Sequence, residues 1–486
     1  MRVQKQSCVR ARLEFAVPRL SPALKTRFLP VLSLLAMIFA LSACEQKSQF
    51  STIFGTRQAP PPAAAPALPP PVTAPARDSE PVQPNGQQMA NVEPGDDRFT
   101  PPAIPRLTPE VPRVAILLPL TGPSAPLGAT LLNAAQLALF HFADRKFELL
   151  PHDTHGTPEG AAEAAQYAIA DGATLILGPL FNHEVEAVAP AARAAGVRVI
   201  AFTSDKRVAS DGVFIMGFRP DEQVDRVVRS AYGRGVRRLA ILAPDDNYGR
   251  TIQDALAATV KTLNGAEITR VATYDPNAVD FSPVVRRLAD YDQRRANLVA
   301  QKQELAQRDD DVAKAALRRL DTQQTAGDVP FDALLIADGG KRLEALAALL
   351  PYYDIDPKKT RMLGTGLWDT PGIGKEPALQ GAWFAAPSPS ARAAFEKQYA
   401  EIYGAPPPRL ATLAYDATAI AALFAPSNGA LDIDGLMSPQ GFAGRDGVFR
   451  FLADGVAERG LSVQQVTVTN STVISEAPTN FATATN

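Results

Sequence analysis

Beyond residue 112 large apolar residues gather at positions 113–120, where RVAILLPL forms the unbroken run expected of a strand buried on both faces of a parallel sheet. Leu131, Ala134, Ala135, Leu137, Ala138 and Leu139 follow as helix-forming apolar positions, and FELLPHD (147–153) reads as a second strand. The alternation then repeats. A helix is predicted over 157–170 with Pro158 early in it, a strand over 173–177 ending at Gly178-Pro179, a helix over 185–195, and a strand over 197–202 ending at Thr203-Ser204. A second series opens with RLAILAP (238–244), continues through a helix over 251–263, and reaches further strands at 267–274, 333–337 and 361–364. Strand, turn, helix, strand is the α/β signature, so the expected fold is two doubly wound, Rossmann-like lobes.

Two stretches break this rhythm. Residues 290–328 are highly charged and helix-prone, which predicts one or two exposed helices inserted into the second lobe, either simply solvated or forming a partner surface. Residues 44–111 are rich in Pro, Ala, Gln and small polar residues, as in APPPAAAPALPPPVTAPA (59–76), and hold too little apolar surface to offset chain entropy. They read as a tether. Fully extended as polyproline II, its roughly 65 residues would reach on the order of 200 Å at ~3.1 Å each. A disordered tail is expected over 475–486.

The N-terminal stretch has its own pattern. Arg2, Lys5, Arg10, Arg12, Arg19, Lys25 and Arg27 precede the uncharged run FLPVLSLLAMIFALSA (28–43), the order of a secretory signal. That run is shorter than the ~20 apolar residues of a spanning helix. Leu41-Ser42-Ala43-Cys44 resembles a lipobox, which implies cleavage after residue 43, acylation of Cys44 and attachment to membrane lipid. The chain has two cysteines, and the other, Cys8, lies in the segment such cleavage removes. No internal disulfide is then available, and stability must come from apolar cores. A formal net charge of −2 gives no electrostatic case for binding nucleic acid.

Ligands of open parallel sheets collect beyond the carboxyl ends of the strands, where loops expose backbone donors. The candidates there are Thr121 and Gly122 after the first strand, Gly178 and Pro179 after the third, and Thr203 and Ser204 after the fourth. Asp246 and Tyr248, Asp338, and Trp368 follow strands of the second series. Hydroxyls at 121, 203 and 204 suit a carboxylate, Asp246 or Asp338 suits an amine, and Tyr248 or Trp368 suits an apolar group. Each of these residue types is also ordinary at a turn or helix cap.

Several segments carry a family resemblance: LLPLTGPSAPLGATLLNAAQLAL (117–139), ILGPLFNHEVEAVAPAARAAGVRVIAFTSD (176–205), GFRPDEQVDRVVRSAYGRGVRRLAILAPDDNYGR (217–250), LGTGLWD (363–369) and FEKQYAEIYGAPPPRLATLAYDATAIAALF (395–424). Together they resemble the type I periplasmic-binding-protein superfamily. GFAGRDGVFRFLADGVAERGLSVQQV (441–466), LGTGLWD, and the lipobox with its long tether look most like the penicillin-binding-protein activators, which are lipoproteins. The resemblance implies three crossovers between lobes, with the first lobe at about 112–233 and 386–430 and the second at about 234–385 and 431–474. It also implies a non-enzymatic regulator at the periplasmic face of the outer membrane that docks on a peptidoglycan synthase. In one respect the likeness departs: activators of this kind carry a helical-repeat domain where this chain has the tether.

No catalytic signature competes with this reading. Ser204-Asp205-Lys206-Arg207 has arginine where an S-x-x-K nucleophile motif needs lysine, and K-T-G is absent. There is no G-x-S-x-G elbow, H-E-x-x-H pair or P-loop, and no cofactor is expected. His152, Asp153 and His155 lie close together after a strand without forming a recognised metal signature, and loop polarity accounts for them. Two functions of different classes stay open: the synthase activator, and a lipid-anchored receptor of an ABC importer taking an amino acid or similar small ligand.

Overall fold

The computed structural model describes residues 111–142, 147–424 and 433–481. The predicted signal segment, Cys44 and the tether up to residue 110 lie outside the described residues. The first lobe runs β1 (Arg113–Leu118), α1 (Ala125–His141), β2 (Glu148–Asp153), α2 (Pro158–Ala170), β3 (Ala173–Leu177), α3 (Asn182–Ala195), β4 (Arg198–Ala201) and β5 (Val213–Ile215). Its five strands lie in the order β2-β1-β3-β4-β5, and all pairings are parallel.

The apolar run of β1 serves both faces of this sheet, as strand periodicity requires. Val114, Ile116 and Leu118 enter one core with the apolar side of α1, while Ala115 and Leu117 enter the other with Ala161 and Ala165 of α2 and Val185 and Val188 of α3.

The chain then crosses to the second lobe: α4 (Pro220–Gly233), β6 (Arg238–Pro244), α5 (Asn247–Lys261), β7 (Glu267–Tyr274), α6 (Ser282–Leu288), α7 (Tyr291–Ala306), α8 (Asp311–Leu320), β8 (Ala333–Ile336), α9 (Gly340–Tyr352), β9 (Arg361–Gly364) and β10 (Trp383–Ala386). It returns to the first lobe with α10 (Pro389–Tyr403), α11 (Ala411–Phe424) and a small antiparallel sheet of β11 (Phe442–Gly444), β12 (Gly447–Phe451) and β13 (Ala457–Arg459). It ends in the second lobe with β14 (Ser462–Val466) and β15 (Ser471–Ser475). The seven-stranded sheet reads β15-β14-β10-β9-β8-β6-β7, with β14 antiparallel to both of its neighbours and the remaining pairings parallel. Three crossings therefore join the lobes, at 215–220, 386–389 and 459–462.

Packing draws the lobe borders differently from the resemblance. Val224, Val227, Val228 and Ala231 of α4 pack with β6 and α5, so 220–233 belongs to the second lobe. Leu436, Phe449, Phe451 and Ala457 share a core with α1 and α11, so the segment up to 459 belongs to the first. The tail also differs in part. Ser475 closes β15, Arg226 Nη2 donates to Ser475 Oγ at 2.8 Å and to the Glu476 carbonyl at 2.9 Å, and the Arg450 guanidinium lies over the Phe481 ring.

The charged stretch forms α7 and α8, which pack on each other and bury only Arg294, Leu298 and Ala313. Arg294 fastens the pair to the lobe, with Nη2 donating to the Gly327 carbonyl at 2.6 Å and to Asp354 Oδ2 at 3.2 Å. Among the described residues, no helix is long and apolar enough to cross a membrane.

Each lobe seats the helix after its first strand by the same device. An added Cβ at Gly128 in α1 would stand 2.0 Å from the Pro119 carbonyl oxygen, and one at Gly249 in α5 would stand 1.8 Å from that of Pro244. Only glycine lets these first turns settle onto the strand ends, and this fixes where the carboxyl-end loops begin.

Candidate functional site

At the carboxyl edge of the first lobe, Asp153 organises the loops after β1 and β2. Its Oδ1 accepts from the N–H groups of Leu120 at 2.8 Å, Thr121 at 3.2 Å and His155 at 2.8 Å. Burial pushes the Asp153 carboxyl up, but these donors and the Thr121 hydroxyl outweigh it, so its pKa sits below the ordinary aspartate value. Thr121 Oγ1 lies 2.6 Å from His155 Nδ1, and Thr121 and Gly122 are both exposed.

Gly178 and Pro179 are buried and serve the scaffold. Gly178 has φ +82°, and a Cβ there would meet the Leu117 carbonyl oxygen at 2.4 Å, while the Pro179 carbonyl accepts from Phe202 N at 2.9 Å. The Thr203 hydroxyl is buried and accepts from Asp205 N at 3.2 Å. Ser204 is exposed. The group of His152, Asp153 and His155 separates: His152 Nε2 faces Asp171 at 3.8 Å, away from the Thr121 pair. Among the described residues, no cluster of His, Cys, Asp or Glu is arranged to hold a metal ion.

In the second lobe the candidates converge on one network. Asp338 is only 3% exposed and accepts from Tyr274 OH at 2.5 Å, Arg342 Nε at 2.7 Å, Arg342 Nη2 at 3.1 Å and Gly339 N at 2.7 Å. Burial, then the hydrogen bond to Asp338, push the Tyr274 phenol far above its ordinary range. Trp368 is fully buried and donates its indole N–H to the Asp338 carbonyl at 2.9 Å. Tyr248 OH lies 2.8 Å from Thr365 Oγ1, and burial raises its pKa to about 12. Asp246 accepts from Gly249 N at 2.8 Å and is the N-cap of α5.

Between the lobes lies a charge cluster drawn from segments far apart in the chain, which no local pattern links. Arg409, from the loop between α10 and α11, pairs with Asp369 after β9 and with Asp446 in the β11–β12 turn, the latter at 3.2 Å. Asp446 also accepts from the Thr412 hydroxyl. The Arg409 and Arg459 guanidiniums both lie over the Phe218 ring, at 5.3 and 4.8 Å. A cavity of about 300 Å³ opens beside this cluster, walled by Trp368, Asp369, Ser388, Arg392, Arg409 and Asn470. Trp368 is the one predicted site residue that lines it.

Asp416 is buried beneath the same turn and accepts from Arg445 N at 2.9 Å on one oxygen and 3.1 Å on the other. Burial, reinforced by Asp446, pushes its pKa up to about 7 against the pull of that N–H. Between about pH 4 and 7 the folded state keeps a proton that the unfolded chain has released, so this group's stability contribution is lost as pH rises through that window. Asp416→Asn removes the titration. The variant is expected to be more stable than the parent at pH 8 by on the order of 1–2 kcal/mol, and to lose that advantage at pH 4.5, in urea unfolding at the two pH values.

The model of the family described as "Periplasmic binding protein" matches residues 112–467. The chain is 22% identical over 252 residues to an uncharacterised protein of Rickettsia prowazekii, covering 52% of this chain and 59% of that one. It is 27% identical over 189 residues to the Leu/Ile/Val-binding protein BraC3 of Rhizobium johnstonii, covering 36% and 50%. It is 26% identical over 148 residues to the penicillin-binding protein activator LpoA of Mannheimia succiniciproducens, covering 30% and 25%. The matches thus span from a quarter to under two thirds of these relatives' lengths. Among solved structures, an ABC transporter substrate-binding protein from Sphaerobacter thermophilus superposes with a TM-score of 0.57 at 18% identity, over 76% of this chain and 98% of that one. The closed leucine-, isoleucine-, valine-, threonine- and alanine-binding protein of Brucella ovis gives 0.55 at 16%, over 75% and 94%. With its two parallel-sheet lobes, three crossings and a family match over nearly all of the described residues, the chain belongs to the periplasmic binding protein family, a family of binding proteins and receptors rather than enzymes.

Proposed function

We propose that the chain is a lipid-anchored envelope regulator that binds and activates a peptidoglycan synthase. Asp338 carries this reading. It is the acidic residue placed to meet the amine of an amino acid, yet its carboxylate is already neutralised by Arg342 and bonded by Tyr274. An amine entering there would have to displace a charge-assisted pair, which disfavours a free amino acid as the working ligand. The likeness to the LpoA activator supports the same reading, and a synthase is the partner it suggests. In this proposal Cys44 is acylated in the outer membrane, the proline-rich stretch spans the gap to the synthase, and the two lobes supply the contact.

A solute receptor is the second reading, favoured by the likeness to BraC3 and by the exposed Thr121 and Ser204 at the first lobe's strand ends. One pair of measurements separates them. Crosslinking in the intact envelope is expected to recover a bifunctional peptidoglycan synthase with the parent chain and much less with Cys44→Ser, which no longer fractionates with membranes. Calorimetric titration of the full chain with leucine, isoleucine and valine is expected to show no heat of binding. Micromolar binding lost on Thr121→Ala with Ser204→Ala, together with recovery of a permease alone, would overturn the activator reading.

A further inference from the structure

A second concavity lies at the other end of the second lobe's strands. Arg361 begins β9, Trp383 begins β10, Asp332 immediately precedes β8, and Arg234 caps the C-terminus of α4. These are amino ends of parallel strands, so the site faces away from the carboxyl-end loops described above. It is an open concavity of about 250 Å³ that brings four cations, Arg234, Lys358, Lys359 and Arg361, together with one carboxylate, Asp332.

That carboxylate does not balance the cations. Asp332 is taken up by Arg238, whose Nε and Nη2 donate to Oδ1 at 3.1 and 2.6 Å, and by the N–H groups of Arg237 and Arg238 on Oδ2. Lys359 is spoken for by Asp328 at 2.6 Å. The other three have no carboxylate partner among the described residues. Arg361 donates to the Gly381 carbonyl, Arg234 to the Ser230 hydroxyl and carbonyl and the Ile474 carbonyl, and Lys358 forms no ion pair among the described residues. Both guanidiniums lie over the Trp383 ring, Arg361 at 4.6 Å and Arg234 at 5.2 Å, so two like charges share one face-bound aromatic group. The Trp383 indole N–H is buried and has no acceptor among the described residues. Desolvation already works against the charge on Arg361.

We propose that this pocket binds a phosphoryl group carried by a small soluble molecule. Guanidinium forks with an ammonium beside them offer many donors and no free acceptor, the complement of a dianion with several acceptor oxygens. A single carboxylate would leave much of the positive charge unbalanced. The concavity is open to solvent, and its volume of about 250 Å³ has room for a phosphoryl group together with part of the small molecule that carries it.

Of the two tryptophans of the chain, Trp383 lines this pocket while Trp368 is buried against the other cavity, so a signal that the variants below remove reports on this pocket. Inorganic phosphate added to the full chain is expected to give a saturable change in tryptophan emission. The exchange Lys358→Gln with Arg361→Gln should weaken it at least about tenfold while leaving the circular dichroism spectrum unchanged. Lys358→Gln alone, at an exposed position, should weaken it to a smaller extent. An equal response to chloride at matched ionic strength, an undiminished response in the double variant, or binding to phosphatidic acid vesicles without any response to inorganic phosphate would each overturn the proposal.

Discussion

Arg409→Met is expected to lower the unfolding free energy of the two-lobed domain by about 3–5 kcal/mol, the usual cost of leaving a buried charge without its partner. The orphan would be Asp446, whose side chain is completely shielded from solvent and, among the described residues, would keep the Thr412 hydroxyl as its side-chain hydrogen-bond partner and Arg459 as a nearby buried cation. Asp369, the other carboxylate, is 22% exposed and can turn to water, so Asp369→Asn should cost far less. Combining Arg409→Met with Asp446→Asn removes both buried charges and should recover most of the loss. This non-additivity is the signature of a coupled pair. Urea unfolding of the two single variants and the double variant checks it. If Arg409→Met alone costs under about 1 kcal/mol, Asp446 does not depend on Arg409 for its charge balance.

The same cluster shows where sequence reading reaches its limit. The unbroken apolar run of β1 told that a strand forms there and that its sheet is covered on both faces, because strand periodicity is local. The burial of β6 between two cores was legible in the same way. Lobe membership was not local. The apolar stripe of α4 is equally able to cover either sheet until its partners on β6 and α5 are known, and the phenylalanines of 442–451 give no sign that they cap α11 in the first lobe. The fate of Asp338 was half visible. Arg342 sits four residues along the same helix start, a spacing that brings side chains together, whereas Tyr274 arrives from a different strand 64 residues away. Arg409, Asp369 and Asp446 come from three separated segments, and no spacing rule links them.

Trp368→Ala should be comparably damaging, at about 3–5 kcal/mol, because it empties a fully buried site of its largest side chain. The LGTGLWD motif is built around that ring: a Cβ at Gly364 would stand 2.1 Å from Trp368 Cδ2, so only glycine lets the indole lie against the end of β9. The indole N–H then holds the Asp338 carbonyl, and Gln223 of α4 accepts from Gly366 N at 2.8 Å, fixing the loop from its other side. Trp368→Phe keeps an aromatic ring but drops the donor, leaving the Asp338 carbonyl short of a partner, and should cost about 1–3 kcal/mol. The two variants also separate packing from positioning. Hydrogen exchange at residues 364–369 and at Gly339 is expected to speed up strongly in Trp368→Ala, where ring and bond are both gone. In Trp368→Phe the faster exchange should be concentrated around Gly339, because the ring still supports β9 while the segment bearing Asp338 has lost its tie. Equal acceleration throughout in both variants would mean that the indole bond, rather than the ring, holds the loop. In that case the Asp338–Arg342 pair would owe its placement to one hydrogen bond.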